Sequence, residues 1–245
     1  MSVWGKIIGG AAGFAFGGPI GAIFGAMAGH SFDKRKRYQS QNFNEIPNQQ
    51  KQNIFAIGII ILSAKLAKAD GVVTKDEIYA FKEKFNISEK DMKKVASIFN
   101  EAKKSTYGFE PIAMQIQSLF NNNKLVLEEL LNNLFYIAEA DGDVSENELK
   151  YLKTISNIFK FDEKTFNRIY AARQKSKNAD PYKVLGVNRN DSDSDIRKAW
   201  LKLTKDHHPD NLMAKGMPAE FVDQANKEMS SINTAYDRIQ KMRNQ

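Results

Sequence analysis

The chain has 245 residues, with 36 Lys and Arg against 29 Asp and Glu, and no Cys. The missing thiol excludes disulfide frameworks, Cys-ligated zinc, iron–sulfur clusters and thiol catalysis, while 42% hydrophobic residues with 11% aromatics exclude a disordered or collagen-like chain. The net charge of +7 is spread thin, +3 over residues 1–50 and +2 over each of 51–175 and 176–245, so it does not mark a nucleic-acid partner.

Nine of the 15 glycines fall in the first 29 residues. Between Lys6 and Asp33 run 26 residues without a formal charge. As one helix, Ile7 to Ala28 would be about 33 Å long, which matches a hydrocarbon layer of roughly 30 Å and predicts a single membrane span. Gly9, Gly13, Gly17, Gly21, Gly25 and Gly29 recur every fourth residue, which lines them along one helix side and predicts a homodimer through that contact face. Pro19 predicts a kink near the middle. Ala26-Met27-Ala28 could pass for a signal-peptidase site, but the apolar region is too long and the strong basic cluster follows it. That cluster, Lys34 to Arg37, keeps its side in the cytoplasm, so a short N-terminus lies outside and the remainder is cytosolic. Residues 1–33 are therefore the anchor. Residues 34–53, with nine Asn or Gln between Gln39 and Asn53, read as a polar tether.

The apolar run Ile54 to Ala64 is too short to cross a bilayer and predicts a core helix. Helical patterns follow at about 74–85, 88–104, 110–121, 123–140, 145–159 and 162–175, and no stretch alternates with period two. The fold class is all-α. Two segments repeat: Asp70, Gly71, Val73 and Glu77 match Asp141, Gly142, Val144 and Glu148, and further on Met92 matches Phe166 and Val95 matches Ile169. A duplicated helix pair is implied. In each copy Thr74 or Ser145 opens a capping box with a Glu three residues on. The spacing Asp-Gly-x-Val-x-x-x-Glu also resembles half an EF-hand loop, but its first and third ligand positions hold Leu66 and Lys68, or Ile137 and Glu139, which excludes ordinary EF-hand binding. Asp70, Glu77, Asp141, Asp143 and Glu148 are the candidate ligands of a divalent cation where the two acidic turns meet. No other cofactor is indicated. The duplicated motif over 54–175 resembles the TerB-like domain, a small helical bundle whose acidic turns are associated with metal binding in some members.

Residues 176–245 carry the sharpest pattern. Asp180-Pro181 caps a short helix that Gly186 ends. Ser192 and Asp195 open a helix running to about His207, with Ile196, Trp200, Leu203 and His207 on one face and Lys198, Lys202 and Lys205 on the other. After His208-Pro209-Asp210 comes a loop to Met217, then a last helix from about Pro218 with Phe221, Ala225, Met229, Ile232, Tyr236 and Ile239 at helical spacing. His207, His208 and Asp210 as metal ligands form an incomplete set, with only His30 as a further imidazole.

Asp180 to Val187, Ile196 to Trp200, His208-Pro209-Asp210 and Ile232 to Tyr236 resemble the J domain of DnaJ-type co-chaperones, in order and spacing. Together with Trp4 to Gly9, Gly29 to Lys34 and the TerB-like middle, the whole chain resembles the membrane-anchored DnaJ-like proteins of the bacterial inner membrane. The resemblance implies a co-chaperone and not an enzyme. His208, Pro209 and Asp210 would dock on an ATP-bound DnaK-type chaperone and stimulate its ATP hydrolysis, with Arg197, Lys198, Lys202 and Lys205 steering the encounter. Leu201 departs from the pattern, standing where many J domains carry Lys or Arg. A second reading makes the TerB-like part a divalent-cation or stress sensor to which chaperone recruitment is secondary.

Overall fold

The computed structural model describes residues 2–11, 18–27, 47–69, 81–105, 107–120, 123–140, 142–173 and 179–244. Among these, every regular element is helical. The helices are α1 (Val3–Ala11), α2 (Gly18–Met27), α3 (Asn48–Ala69), α4 (Glu89–Lys104), α5 (Phe109–Leu119), α6 (Lys124–Ala138), α7 (Glu146–Ile158) and α8 (Glu163–Arg173). Then come α9 (Pro181–Leu185), α10 (Asp193–Asp206), α11 (Pro209–Ala214), a 3-10 turn (Ala219–Phe221) and α12 (Val222–Arg243).

Helix α3 is the axle of the middle domain. Ile54 to Leu66 is buried on every side, because α4, α5, α6 and α7 surround it. An eleven-residue run that is apolar all round can be stable only when so enclosed. The helix begins at Asn48, six residues before that run. Part of the expected tether is thus the first turns of a core helix.

The duplication is visible in the backbone. Asn86 and Lys160, 74 positions apart, are the two non-glycine residues with positive φ among the described residues, at 48° and 60°. Each follows a buried Phe, and each turn closes the same way: Ile87 N–H donates to Lys82 O at 3.0 Å and Phe161 N–H to Ser156 O at 3.1 Å. The left-handed residue with a six-residue closing bond is the usual stop for a helix followed by another. Ser88 then takes the N-cap position of α4, its hydroxyl donating to Asp91 at 2.9 Å, and the Asp162 carboxylate accepts from Thr165 N–H at 2.8 Å to start α8. The Ser145 capping box forms in full; Thr74 lies outside the described residues.

At the N-terminus the expected continuous helix is not what the described residues form. Gly18 sits at φ +67°, a left-handed conformation that no right-handed helix can run through. Pro19 follows as the first residue with its fixed φ, so α2 starts afresh there where a kink was expected. The four-residue glycine spacing is consequently divided between α1, which holds Gly9, and α2, which holds Gly21 and Gly25; Gly13, Gly17 and Gly29 lie outside the described residues. Both segments rest on the middle domain, α1 on α3 and α4 and α2 on α4 and α5, burying Val3, Trp4, Ile7, Ile20 and Ile23. Among the described residues no helix is long and apolar enough to cross a membrane.

The C-terminal hairpin is α10 against α12, with α9 laid across α12. Tyr182, Val184, Leu185, Ile196, Ile232, Ala235 and Ile239 form its own core. Phe221 does not belong to that core. It is fully buried in the middle domain's cluster, 4.9 Å from the rings of Phe55 and Phe85 and 5.6 Å from Trp4. Leu212 and Met217 enter the same cluster.

Candidate functional site

The His-Pro-Asp segment is the corner between α10 and α11, and local chemistry sets it. His207 ends α10, its N–H donating to Leu203 O at 2.9 Å. His208 turns extended, and its Nδ1 accepts from Asp210 N–H at 3.3 Å. Pro209 takes the first position of α11, where a helix has no use for an N–H. The stretch expected to be loop therefore holds a short helix. Asn211 ties it back, donating through Nδ2 to Asp206 O at 2.9 Å and Lys205 O at 3.2 Å, the orphan carbonyls at the end of α10.

This corner sorts its side chains by medium. Pro209 is buried, while the His208 and Asp210 side chains are 52% and 82% exposed, with Nδ1 and Oδ2 3.8 Å apart. Lys198, Lys202 and Lys205 are exposed along the outer face of α10, with Arg197 beside them. Lys198 lies 3.3 Å from Asp195 and Lys202 pairs with Asp206, contacts within one helix that leave the ammonium groups in solvent. Leu201 is 48% exposed in the middle of this basic face. On the other side of α10, Trp200 stacks on Tyr236 with ring centroids 4.3 Å apart, and its indole N–H donates to Asn233 at 2.9 Å. All seven expected docking residues thus share the exterior of one corner and one helix, except that Pro209 faces inward.

His207 points the opposite way. It is 1% exposed, and its Nε2 lies 3.0 Å from Glu128 Oε1 on α6. Around that contact the two domains share buried charges: Arg168 pairs with Glu128, and Arg173 lies 3.2 Å from Glu228 of α12. Burial holds the His207 imidazole below its ordinary pKa, with the Arg168 guanidinium adding to the shift. Burial pushes the Glu129 carboxyl, one residue along α6, above its ordinary value. The imidazole is therefore retained uncharged beside a guanidinium. A metal set of His207, His208 and Asp210 does not converge, since the first is buried against Glu128 and the others face solvent.

Of the five acidic candidates, Asp70, Glu77 and Asp141 lie outside the described residues. Glu148 has its carboxylate on Ser145 N–H at 2.9 Å. Among the described residues no group of three or more His, Cys, Asp and Glu could hold a metal ion.

Arg243, near the end of α12, is a residue that sequence reasoning passed over. It donates to Arg189 O and to Asp193 Oδ1, each at 2.6 Å, and to Asp191 O at 2.9 Å, closing the loop before α10. Its place near the end of the chain gave no signal, because no periodic face required it.

Three family models match successive stretches of the chain. The co-chaperone DjlA transmembrane domain matches residues 1–51, the tellurite resistance protein TerB 56–171 and the DnaJ domain 180–244. Co-chaperone protein DjlA of Vibrio cholerae is 31% identical over 279 residues, covering 98% of each chain. The chain belongs to the DjlA co-chaperone family. DjlA proteins of Photobacterium profundum and Coxiella burnetii are each 29% identical, over 98% and 99% of this chain. No solved structure matches it. Membership makes this chain a co-chaperone anchored in a membrane, with a TerB domain between the anchor and the J domain. The His-Pro-Asp corner lies within the stretch that the DnaJ domain matches.

Proposed function

We propose that the exterior of the His-Pro-Asp corner docks on the ATP-bound form of a DnaK-type chaperone and stimulates its ATP hydrolysis, with no bond made or broken on this chain. The observation that carries this reading is the exposed His208–Asp210 pair held at the start of α11 by a buried Pro209. Asp210 offers a carboxylate to a guanidinium, the pairing that gives short, directional, charge-assisted bonds. Arg197, Lys198, Lys202 and Lys205 speed the encounter with an acidic surface, and Leu201 replaces one charge of that face by an apolar contact. Full-length protein in lipid vesicles, titrated into a DnaK-type ATPase, tests it. Wild type is expected to raise the steady-state rate, and His208→Gln or Asp210→Asn to leave it at the partner's basal level. Equal stimulation by wild type and His208→Gln overturns the reading.

The anchor is proposed to cross the inner membrane once, with the short N-terminus outside and Lys34 to Arg37 fixing the remainder in the cytoplasm. In a bilayer, lipid takes the place of the helices that bury Val3, Ile7, Ile20 and Ile23. A homodimer through the glycine spacing belongs to the same proposal; replacing Gly13, Gly17 and Gly21 by Ile should abolish self-association in a membrane reporter assay, and unchanged association removes the dimer. The cation-sensor alternative is not favoured, since the described Glu148 carboxylate already caps α7.

A further inference from the structure

The corner that carries His208 and Asp210 is not held by the J domain alone. Three kinds of contact reach it from the TerB domain. His207, the residue before the motif, is fixed by Glu128 of α6. Two carbonyls at the far end of α11 accept from TerB amides: Met213 O from Asn48 Nδ2 at 3.1 Å and Lys215 O from Asn123 Nδ2 at 2.8 Å. Leu212, between those two anchorages, is fully buried in the TerB cluster.

The fit is close enough to dictate residue types. Gly216 ends α11 at φ +113°, and a Cβ there would sit 2.7 Å from Lys51 Cβ on α3. Only glycine meets both demands, since a side chain would be strained by the backbone and would collide with the core helix. Asn123 stands at the start of α6, in a place where Asn commonly caps its own helix. Its side chain makes no such cap and goes to Lys215 O instead.

A six-residue helix has too few internal bonds to be stable by itself in water. Asn211 and His208 bond at its N-terminal side; at the other end Leu212 O and Met213 O accept from the N–H groups of Met217 and Gly216, and the Asn48 and Asn123 amides add the bonds to Met213 O and Lys215 O that tie this turn to the TerB side. We infer that the TerB domain is the mould of the chaperone-docking corner, with Glu128, Asn48 and Asn123 as positioning residues that set the His-Pro-Asp segment without touching the partner. This rests on the docking reading above and adds a function for the TerB domain. It holds the J domain in its binding-competent shape, and whatever loosens the domain contact lowers co-chaperone affinity.

A corner correctly shaped for only a tenth of the time would need about tenfold more protein for half-maximal effect, with the plateau unchanged. Loss of His208 or Asp210 instead abolishes the stimulation. Two full-length variants in vesicles, Glu128→Ala and the double variant Asn48→Ala/Asn123→Ala, separate the cases. The second leaves the buried charges in place, so it decides the matter if the first fails to fold. Both are expected to raise the concentration for half-maximal ATPase stimulation about tenfold while reaching the wild-type plateau. Hydrogen exchange should quicken at the amides of 209–217 and stay unchanged along α3 and α6. Wild-type half-saturation in the double variant overturns the inference, as does unaltered protection of 209–217. In either case a dead His208→Gln leaves the docking reading standing. Wild-type stimulation no greater than that of His208→Gln removes both.

Discussion

Two adjacent histidines of the J domain serve opposite media. His208 is half exposed beside an exposed Asp210, and its surroundings are water-exposed charges on a solvated helix. His207 is buried among Glu128, Arg168 and Glu228 from three helices of two domains. Charges on the outer side are cheap to hold, because water solvates each one whether or not a partner is present. On the inner side each charge depends on the others, because losing one leaves its neighbour desolvated and unpaired. Substitutions should therefore divide between the two sides: outer ones alter partner binding with little effect on stability, and inner ones cost stability and reach partner binding only by loosening the corner.

The largest effect should come from the apolar part of the inner side. Phe221→Ala empties a site enclosed by Phe55 and Phe85, and its removal should cost roughly 4 kcal/mol. Denaturant unfolding of the full chain measures it. A loss under about 1 kcal/mol would mean that the two domains do not share a core. Arg168→Ala comes next, at about 3 kcal/mol, since it strips the guanidinium from buried Glu128 and leaves Glu228 with Arg173 alone. In the same preparations His208→Gln should leave the unfolding midpoint in place. If it were as damaging as Arg168→Ala, the contrast between the two sides would fail.

A smaller effect, of opposite sign, is expected at Glu129. Its carboxyl is fully buried, Oε2 has no hydrogen-bond partner, and burial raises its pKa from the ordinary 4.5, with Glu228 also pushing it up. The folded state thus favours the protonated form. Stability from this group is complete below pH 4.5 and is lost as pH rises through the raised value. Glu129→Gln imitates the protonated form, so it should stabilise by about 1 kcal/mol at pH 7.5 and by nothing near pH 4.5. His207 runs the other way. Its depressed pKa means that stability is complete above its ordinary 6.5 and lost as pH falls from there toward the depressed value. In the Glu129→Gln protein the histidine limb, falling below about pH 6.5, should remain together with that of Glu139, whose carboxyl burial also raises. Thermal unfolding across pH 4.5 to 8 reads both limbs, and a Glu129→Gln gain that persists at pH 4.5 would show that the carboxylate was not the cause.

Capping chemistry made several helices legible before the fold was known. Ser145, Asp180 and Ser192 each stand one residue before a helix, and the apolar stripe behind Ser192 predicted which face is buried. The stripes could not say what covers that face. Phe221 has the right spacing for the hairpin core yet packs against Phe55 and Phe85, because periodicity records that a side chain is buried and not which neighbour buries it. Helix α11 was invisible for a different reason. Six residues are too few to show a period, and its cap is a His, outside the usual Ser, Thr, Asp and Asn. Asn48 and Asn123 read as tether and break because Asn and Gln runs mark solvated chain in general; here their amides answer backbone carbonyls of another domain. Arg168, Arg173 and Glu228 are spaced like ordinary surface charges, and only the docking of α8 and α12 makes them one buried group.

The smallest stability change tests the outer side. Lys202 is 75% exposed and pairs with Asp206 along the same helix, so Lys202→Ala should move the unfolding free energy by no more than about 0.5 kcal/mol. Its effect belongs to the encounter with the chaperone. A charge that steers acts through a field screened over about 8 Å at physiological salt, so the variant should associate more slowly at low ionic strength and at the wild-type rate in high salt. Stopped-flow association at two salt concentrations separates this from a contact in the bound complex, for which the deficit would persist in high salt and appear in dissociation. Leu201→Lys adds a charge to the same face and should quicken association at low salt, a gain that high salt screens away. If both variants matched wild type at low salt, the stripe on α10 would be a solvated helix face and docking would rest on His208 and Asp210 alone.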